Sequence, residues 1–562
     1  MSHSEKNIVT WDGPDDPENP FNWPSSKKWR VTVLACSITF LSGISGTALA
    51  PTAPLLTSTF DLAPDATRTI PPTYYPIFAW TLSAGVIPLL LLPLMETYYG
   101  VRTPYLLCVL TLALSTIPQA LAPGSASSDG ADGDGGGNGN GGGAYPLLIA
   151  IRILTGGAAG VLQNVTGGIV GDVWAGPRAR SRPVALYIWA LVGGLMAGPV
   201  VGGGTVWGAN VDDSDDERAP VGQGGLSWRY VCWEQLAIYA ALVPLAYLLL
   251  PETRGAIILA RRAAAVRKAT GDPNVRAEGE GGGGGGMSLA ELLKDAVGRP
   301  LRMLTTEPLV ACSTLWSAFC FGNALLFTQS IPRVYGELYG WESWRAGVVQ
   351  AGLLVGVTLG LVVGAPVQDA LYYTTSSLRK KNQQHQSADY EMGNEGGPEH
   401  DEEEHFTPEA RLYLATPASF LCLSGGLFLY AWTSSPHIHW LAPTSGLVLV
   451  GAGIFTVVTA ASNYVEDAYS RYAASALAGV AFGENMTGAF LPLAEQPLYT
   501  NLDLRWASCL LAFVAVALSL APVVMVWKGE AIRKRSPFIK EAMYETQGEF
   551  VGAERNEGPQ SV

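Results

Sequence analysis

Twelve stretches of the chain are apolar on every side and nearly free of charge, at 31–50, 74–94, 104–122, 145–169, 184–206, 231–250, 309–329, 346–365, 412–432, 440–462, 473–494 and 506–527. Each holds about 17 to 25 residues, which as helix at 1.5 Å per residue crosses the ~30 Å hydrocarbon core of a bilayer. Inside that core every backbone N–H and C=O needs a partner within the segment or its barrel, so unbroken apolar runs of this length specify helices. The expectation is an all-α membrane protein with twelve transmembrane helices. Only 15% of the 562 residues are charged and 48% are hydrophobic, which fits the bilayer as solvent.

Six spans precede a long polar connection and six follow it. The sequence therefore divides into a tail (1–30), a first six-helix bundle (31–250), a connecting loop (251–308), a second bundle (309–527) and a second tail (528–562). Two equal sets of six are what internally repeated carrier folds produce. The first thirty residues are polar where a cleavable leader would be apolar, so the first span is expected to serve as its own anchor. With the N-terminus in the cytoplasm, the inner segments hold 28 of the 35 Lys and Arg residues and the outer loops 6, with Arg152 inside a span. The bias places both tails and the 251–308 loop in the cytoplasm. On this map NYVEDAYSRYAAS, 463–475, is the turn between spans 10 and 11, with its charges in water or at the headgroups.

The acidic excess, a net charge of −13, sits mostly in tails and loops and marks solubilising segments rather than a nucleic-acid surface. The Gly-rich runs at 124–144 and 278–286 and the polar run 382–405 lack the composition to fold, and no GK[ST] ending makes them phosphate cradles. In MSLAELLKDAVGRPLRML, Ser288 and Glu291 have capping-box spacing before helically spaced leucines. This short amphipathic helix is expected either along the membrane interface or over the end of the bundle. All seven cysteines fall in apolar runs without zinc-like spacing, the six histidines lie in tails or loops, and no H-x-x-E-H or G-x-S-x-G pattern accompanies the spans. Neither a cofactor nor an enzyme activity is expected.

Two charges lie at membrane depth, where each costs at least ~2.5 kcal/mol and usually faces a cavity or a partner. Arg152 is seven residues into span 4, ~10 Å deep, and is expected to face the cavity. Glu484 lies mid-span in VAFGENMTGAF. A carboxyl there is expected to bind and release protons, to contact a cationic part of a substrate, or to pair with Arg152 across the bundle. Gln163, Asn164, Asn323, Gln329 and Gln350 are candidate cavity contacts, with interhelical hydrogen bonding as the commoner role for such groups. Gly194, Gly198 and Gly202 share one face of span 5 with Pro199 beside them, allowing a neighbouring backbone to approach closely; Gly352, Gly356, Gly360 and Gly364 repeat the spacing on span 8.

DPENPFNWPSSKKW, RILTGGAAG, LVGGLMAGPVVGGG, WRYVCW, LPETRGAIILARRA, RPLRMLTTEP and NYVEDAYSRYAASALAG, in this order and at these places, resemble the fungal twelve-span drug:proton antiporters of the major facilitator superfamily. The resemblance implies two six-helix bundles around a central cavity, alternating access, and export of a small organic molecule against inward proton flow. It matches the span 5 glycines to the antiporter motif and Arg152 to the arginine of the span 4 motif, which makes Arg152 a proton-coupling candidate; Glu484 is a second candidate on its membrane depth alone, since relatives often carry a basic residue near its place. In LPLMETYYGVRTPYL, Glu96, Gly100 and Arg102 match the superfamily's gating motif, although Gly100 comes one residue late and a single basic residue follows it. Asp172, followed by Arg178, Arg180 and Arg182, is then the expected partner of Arg102. The partners so implied are a small-molecule substrate, protons and the lipid bilayer, for a monomer in the plasma or vacuolar membrane. An uptake permease and a nutrient receptor without net transport remain open beside export.

Overall fold

The computed structural model describes residues 8–62, 71–123, 144–211, 228–278, 289–375, 377, 408–469 and 472–540. Residues 124–143 and 279–286 of the Gly-rich runs, Ser288, Arg471 and the whole of 382–405 lie outside the described residues. Among the described residues, eleven stretches are long and apolar enough to cross a bilayer: Ser25–Phe60, Pro72–Glu96, Arg102–Ala120, Tyr145–Val173, Arg178–Val206, Arg229–Leu249, Pro308–Tyr339, Ser343–Thr375, Pro408–Thr433, Leu441–Tyr469 and Ala473–Arg533.

The last stretch, 61 residues, amounts to two crossings. As one helix it would run roughly three times the hydrocarbon thickness. It ends a first crossing at Phe490, turns through Leu491–Ala494, and breaks again at Asp503, whose φ of 61° no helix holds. The return reaches Arg533, whose guanidinium holds Glu409 at the start of the ninth stretch. The count is therefore twelve, numbered here spans 1 to 12, with Ala473–Phe490 as span 11 and the remainder as span 12.

These helices form because their backbone groups have nowhere else to bond in hydrocarbon, and the same constraint lets them carry internal prolines, such as Pro88 and Pro93 in span 2 and Pro199 in span 5. Their outer faces stay apolar: Leu248, Leu421 and Trp527 are 75, 71 and 82% exposed, as lipid-facing side chains must be. Small residues bring the helices together. A Cβ built on Gly194, Gly198 or Gly202 would stand 2.0–2.3 Å from Phe40 O, Thr47 Oγ1 or Ala48 O, so this face of span 5 lies directly on span 1. The glycine face of span 8 lies on span 10 in the same way, with Gly356 against Val448 O and Gly360 against Phe455. Spans 8 and 9 each loosen into a π segment, at Gly360–Gly364 and Ser419–Ser424.

The end of the bundle that carries residues 251–308, hereafter the loop end, has two further helices. Gly255–Thr270 receives the N-terminal tail: Asp16 takes a forked pair of bonds from Arg262 at 2.7 and 2.9 Å, and Ile8–Val9 pair in parallel with Arg276–Ala277. Burial of Trp11 and Val9 against Leu259 and Ala263 closes this small cluster. Leu289–Thr306 is the amphipathic helix expected from the leucine spacing, and it covers the bundle end: Met303 is buried, Ala296 borders the seam between spans 2 and 11, and Pro300 O approaches Gly479. Its capping residue Ser288 lies outside the described residues.

Candidate functional site

A cavity of about 820 Å³ lies between the halves, lined by spans 2, 4 and 5 on one side and 8, 10 and 11 on the other. Its walls reach from the loop end, at Glu96, Asp172 and Glu466, to Glu484 near the middle of span 11. Leu92, Val184, Ile188, Leu191, Val458 and Leu477 make the walls largely apolar, with Asn164, Tyr187 and Ser462 as polar points. Glu484 is buried, and its carboxyl accepts a hydrogen bond from the Ser317 hydroxyl of span 7.

The halves touch at both ends of this cavity. At the loop end Arg180 of span 5 pairs with Glu466 of span 10 at 2.9 Å, Ser181 donates to Asp369 of span 8, and the Arg178 guanidinium lies 5.3 Å from the Tyr373 ring. At the far end a Cβ on Gly203 would meet Trp344 O at 2.6 Å and one on Gly347 would meet Pro199 O at 3.0 Å. There the Tyr74 hydroxyl donates to Ala489 O at 3.1 Å.

A second set of charges ties the loop end of the first half to itself. Arg254, just past span 6, bonds Asp172 at 3.1 Å and pairs with Glu96, while the Thr253 hydroxyl donates to Asp172 at 3.3 Å. Burial opposes the charged form of Arg254, but the carboxylates of Glu96 and Asp172 outweigh it and hold the guanidinium above its ordinary value. Glu252 accepts the backbone N–H groups of Val101, Arg102, Thr253 and Arg254 at 3.0–3.4 Å. It occupies the space a side chain at Gly100 would need: Gly100 has φ 79°, and a Cβ there would stand 2.5 Å from Glu252 Oε2. The second half has its own cluster, Arg411 bonded to Asp467 at 2.9 Å, 3.6 Å from Asp369 and stacked 3.7 Å over Tyr372.

Several sequence expectations change here. Asp172 does not pair with Arg102; the Arg102 guanidinium donates to Tyr247 O at 2.9 Å, because the span 6 terminus reaches it while Arg254 reaches Asp172. Arg152 does not face the cavity or meet Glu484. It is 1% exposed and donates to the carbonyls of Ser45, Gly46 and Pro76 at 2.6, 2.5 and 3.3 Å, joining spans 1, 2 and 4 inside the first half. Glu466 and Asp467 are not loop charges in water: span 10 runs on to Tyr469 and places both in the cavity wall with ionic partners.

Of the candidate contacts, Asn164 lines the cavity and bonds Gly160 O at 2.8 Å. Gln163, Asn323 and Gln350 are buried in helix packing outside the lining, and Gln329 is half-buried outside it as well. Pro199 and the glycines Gly194, Gly198 and Gly202 belong to the contacts of span 5 rather than to the lining. The residues that sequence reasoning missed are Glu252 and Arg254, signalled only by the quoted LPETRG, and Arg411, Ser317 and Tyr187, which carried no signal of their own.

Two helical bundles meeting at both ends of a central cavity define a membrane transporter. The chain belongs to the Major Facilitator Superfamily, whose model matches residues 35–492. It is 30% identical to an efflux pump, radE, of Floropilus chiversii, over 95% of this chain and 86% of that one. It is 29% identical to the MFS-type transporter atr4 of Stereocaulon alpinum, over 95% and 83%. Among solved structures it resembles the partially occluded inward-open xylose transporter XylE from E. coli, with a TM-score of 0.56, 12% identity, and coverage of 89% of this chain and 99% of that one. The human organic anion transporter MFSD10 aligns with a TM-score of 0.51, 15% identity, and coverage of 89% and 100%.

Proposed function

We propose that this chain exports a small organic molecule by alternating access, driven by protons that enter through Glu484. The observation that carries the reading is the cavity itself: about 820 Å³ of mostly apolar wall, enough for a metabolite-sized molecule, ending on one buried carboxyl whose described partner is a hydroxyl. Such a carboxyl is costly as an anion, so a proton and a substrate compete for its neutralisation, and that competition is the basis of exchange. Arg152 supports the reading as a positioning residue: three carbonyl bonds lock spans 1, 2 and 4 into one unit that moves whole.

Export is favoured over uptake by the relative named as an efflux pump. The Lys and Arg bias supports cytoplasmic tails and a loop end that faces the cytoplasm. Deleting the gene and comparing secreted with retained metabolites tests direction: export predicts that one compound accumulates inside and is lost outside. A compound depleted inside would show uptake, and no change in either would show a receptor.

A further inference from the structure

At the loop end, apart from the central cavity, the start of span 1, the start of span 3 and the end of span 6 enclose a recess of about 290 Å³. Lys27, Arg30 and Arg102 line one side, and Leu248, Leu249 and Leu250 the other. Among the described residues none of the three cations forms an ion pair with a carboxylate, whereas Arg180, Arg254, Arg262, Arg333, Arg411 and Arg533 each do. The Lys27 ammonium rests 3.6 Å from the Trp23 ring centroid, and the Arg102 guanidinium is oriented by Tyr247 O. The neighbouring surface is apolar and open, with Tyr247 61% and Leu248 75% exposed.

We propose that this recess binds the phosphate headgroup of an anionic glycerophospholipid, with its acyl chains along Tyr247 and Leu248. Three like charges held together without counter-charge need an anion, and a pocket of cations whose open side is lipid-facing hydrocarbon selects one that carries its own hydrocarbon. A free phosphate would meet the cations but leave the leucines against lipid or water. The site also touches the charge network of the first half. The Arg102 backbone N–H bonds Glu252, which holds the backbone of Arg254, so a headgroup on Arg102 steadies the turn that presents Arg254 to Glu96 and Asp172. The proposal needs only the membrane-spanning fold, so its failure leaves the export reading as it was.

The test measures the melting midpoint of the full chain, purified in neutral detergent, during titration with phosphatidylserine, phosphatidylcholine or inorganic phosphate. Phosphatidylserine is expected to raise the midpoint saturably, and the other two are expected to leave it in place. At ~1 kcal/mol for each Lys or Arg near an anionic surface, the double variant Lys27→Gln/Arg30→Gln needs about thirtyfold more phosphatidylserine for half of the effect. Arg30→Lys, which keeps the charge, and Lys268→Gln, on the exposed end of a different helix, are expected to titrate like the parent. If the double variant unfolds during purification, Arg30→Gln alone carries the test with about a fivefold shift. Equal stabilisation by phosphatidylcholine, an equal effect of inorganic phosphate, or an unchanged titration in the Gln variants would overturn the assignment.

Discussion

Arg180 of span 5 and Glu466 of span 10 stand 2.9 Å apart across the line where the two halves meet. Both side chains are about one-quarter exposed or less, so the pair feels a medium drier than water. Opening the cavity at the loop end requires this contact to break, along with the neighbouring Ser181–Asp369 bond.

Removing the pair should therefore shift the protein toward the form open at the loop end. A partly buried ion pair of this kind, still screened by water, is worth ~1 kcal/mol, or about fivefold in population. A cysteine placed at Ser462 in the cavity wall should react with a water-soluble thiol reagent about fivefold faster in the Arg180→Gln background than in its parent. Exchanging the charges, Arg180→Glu with Glu466→Arg, should bring the rate back. Equal rates in all three proteins would show that the pair does not hold the ends together.

Arg254 and Arg102 separate in the same kind of measurement. Arg254→Gln leaves Glu96 and Asp172 facing each other without a cation; with the guanidinium 36% exposed, solvent screening brings the loss down from the buried-pair range to ~2 kcal/mol. Arg102→Gln gives up one carbonyl bond and a ring contact with Tyr247, ~1 kcal/mol. Melting midpoints in detergent should fall further for the first variant than for the second. The opposite order would restore Arg102 as the partner of Asp172.

The close face of span 5 gives a steric prediction. Gly202→Val puts a side chain where Ala48 O lies 2.0 Å from the Cβ position, so spans 1 and 5 must separate at a cost of ~1–3 kcal/mol or more. Gly204→Ala, with nothing within 4 Å, should be neutral or stabilising by up to ~1 kcal/mol as a better helix former. The yield of monodisperse protein after detergent extraction distinguishes them; equal yields would mean the helices are not held at this spacing.

Much of this architecture is readable from the chain. Runs such as 309–329 and 440–462 are too long and too apolar for another solvent, and glycines four apart on span 5 announce a close neighbour whatever that neighbour is. Glu484 is legible because a carboxyl in hydrocarbon is expensive enough to demand a reason. Partner choice is not legible. Asp172 is followed by three arginines, Arg178, Arg180 and Arg182, yet the one that reaches it is Arg254, because of where span 6 ends and how the chain turns at Glu252. Gln163, Asn323 and Gln350 sit on helices that are apolar all round, so no periodicity says which face meets the cavity. Glu466 and Asp467 lie in the cavity wall rather than in a turn because the helix of span 10 continues to Tyr469, carrying both charges inward.

The tail cluster gives a pH dependence. Hydrogen bonds from Arg262 and from the backbone at Asp12 and Glu18 hold the Asp16 carboxyl far below the usual carboxylate range. A group with a depressed folded value stabilises the docked tail above its unfolded value, ~3.9, and loses that contribution as pH falls below it. Pepsin digestion at graded acidity should find the tail progressively easier to cleave as pH drops below about 4. Trypsin at neutral pH should find Asp16→Asn already released. A tail equally protected in Asp16→Asn would assign its docking to Trp11 and Val9 instead.

The central claim is that Glu484 couples substrate to protons. Its direct measurement is proton flux into vesicles reconstituted with the purified protein and loaded with a pH-sensitive dye, following addition of the metabolite that the deletion comparison identifies. The parent protein should move protons in exchange for that metabolite, with a rate that depends on the pH difference across the membrane. Glu484→Gln, which keeps shape and hydrogen bonding to Ser317 while removing titration, should still bind and exchange the metabolite but move no protons. Proton flux at the parent rate in Glu484→Gln would contradict the account.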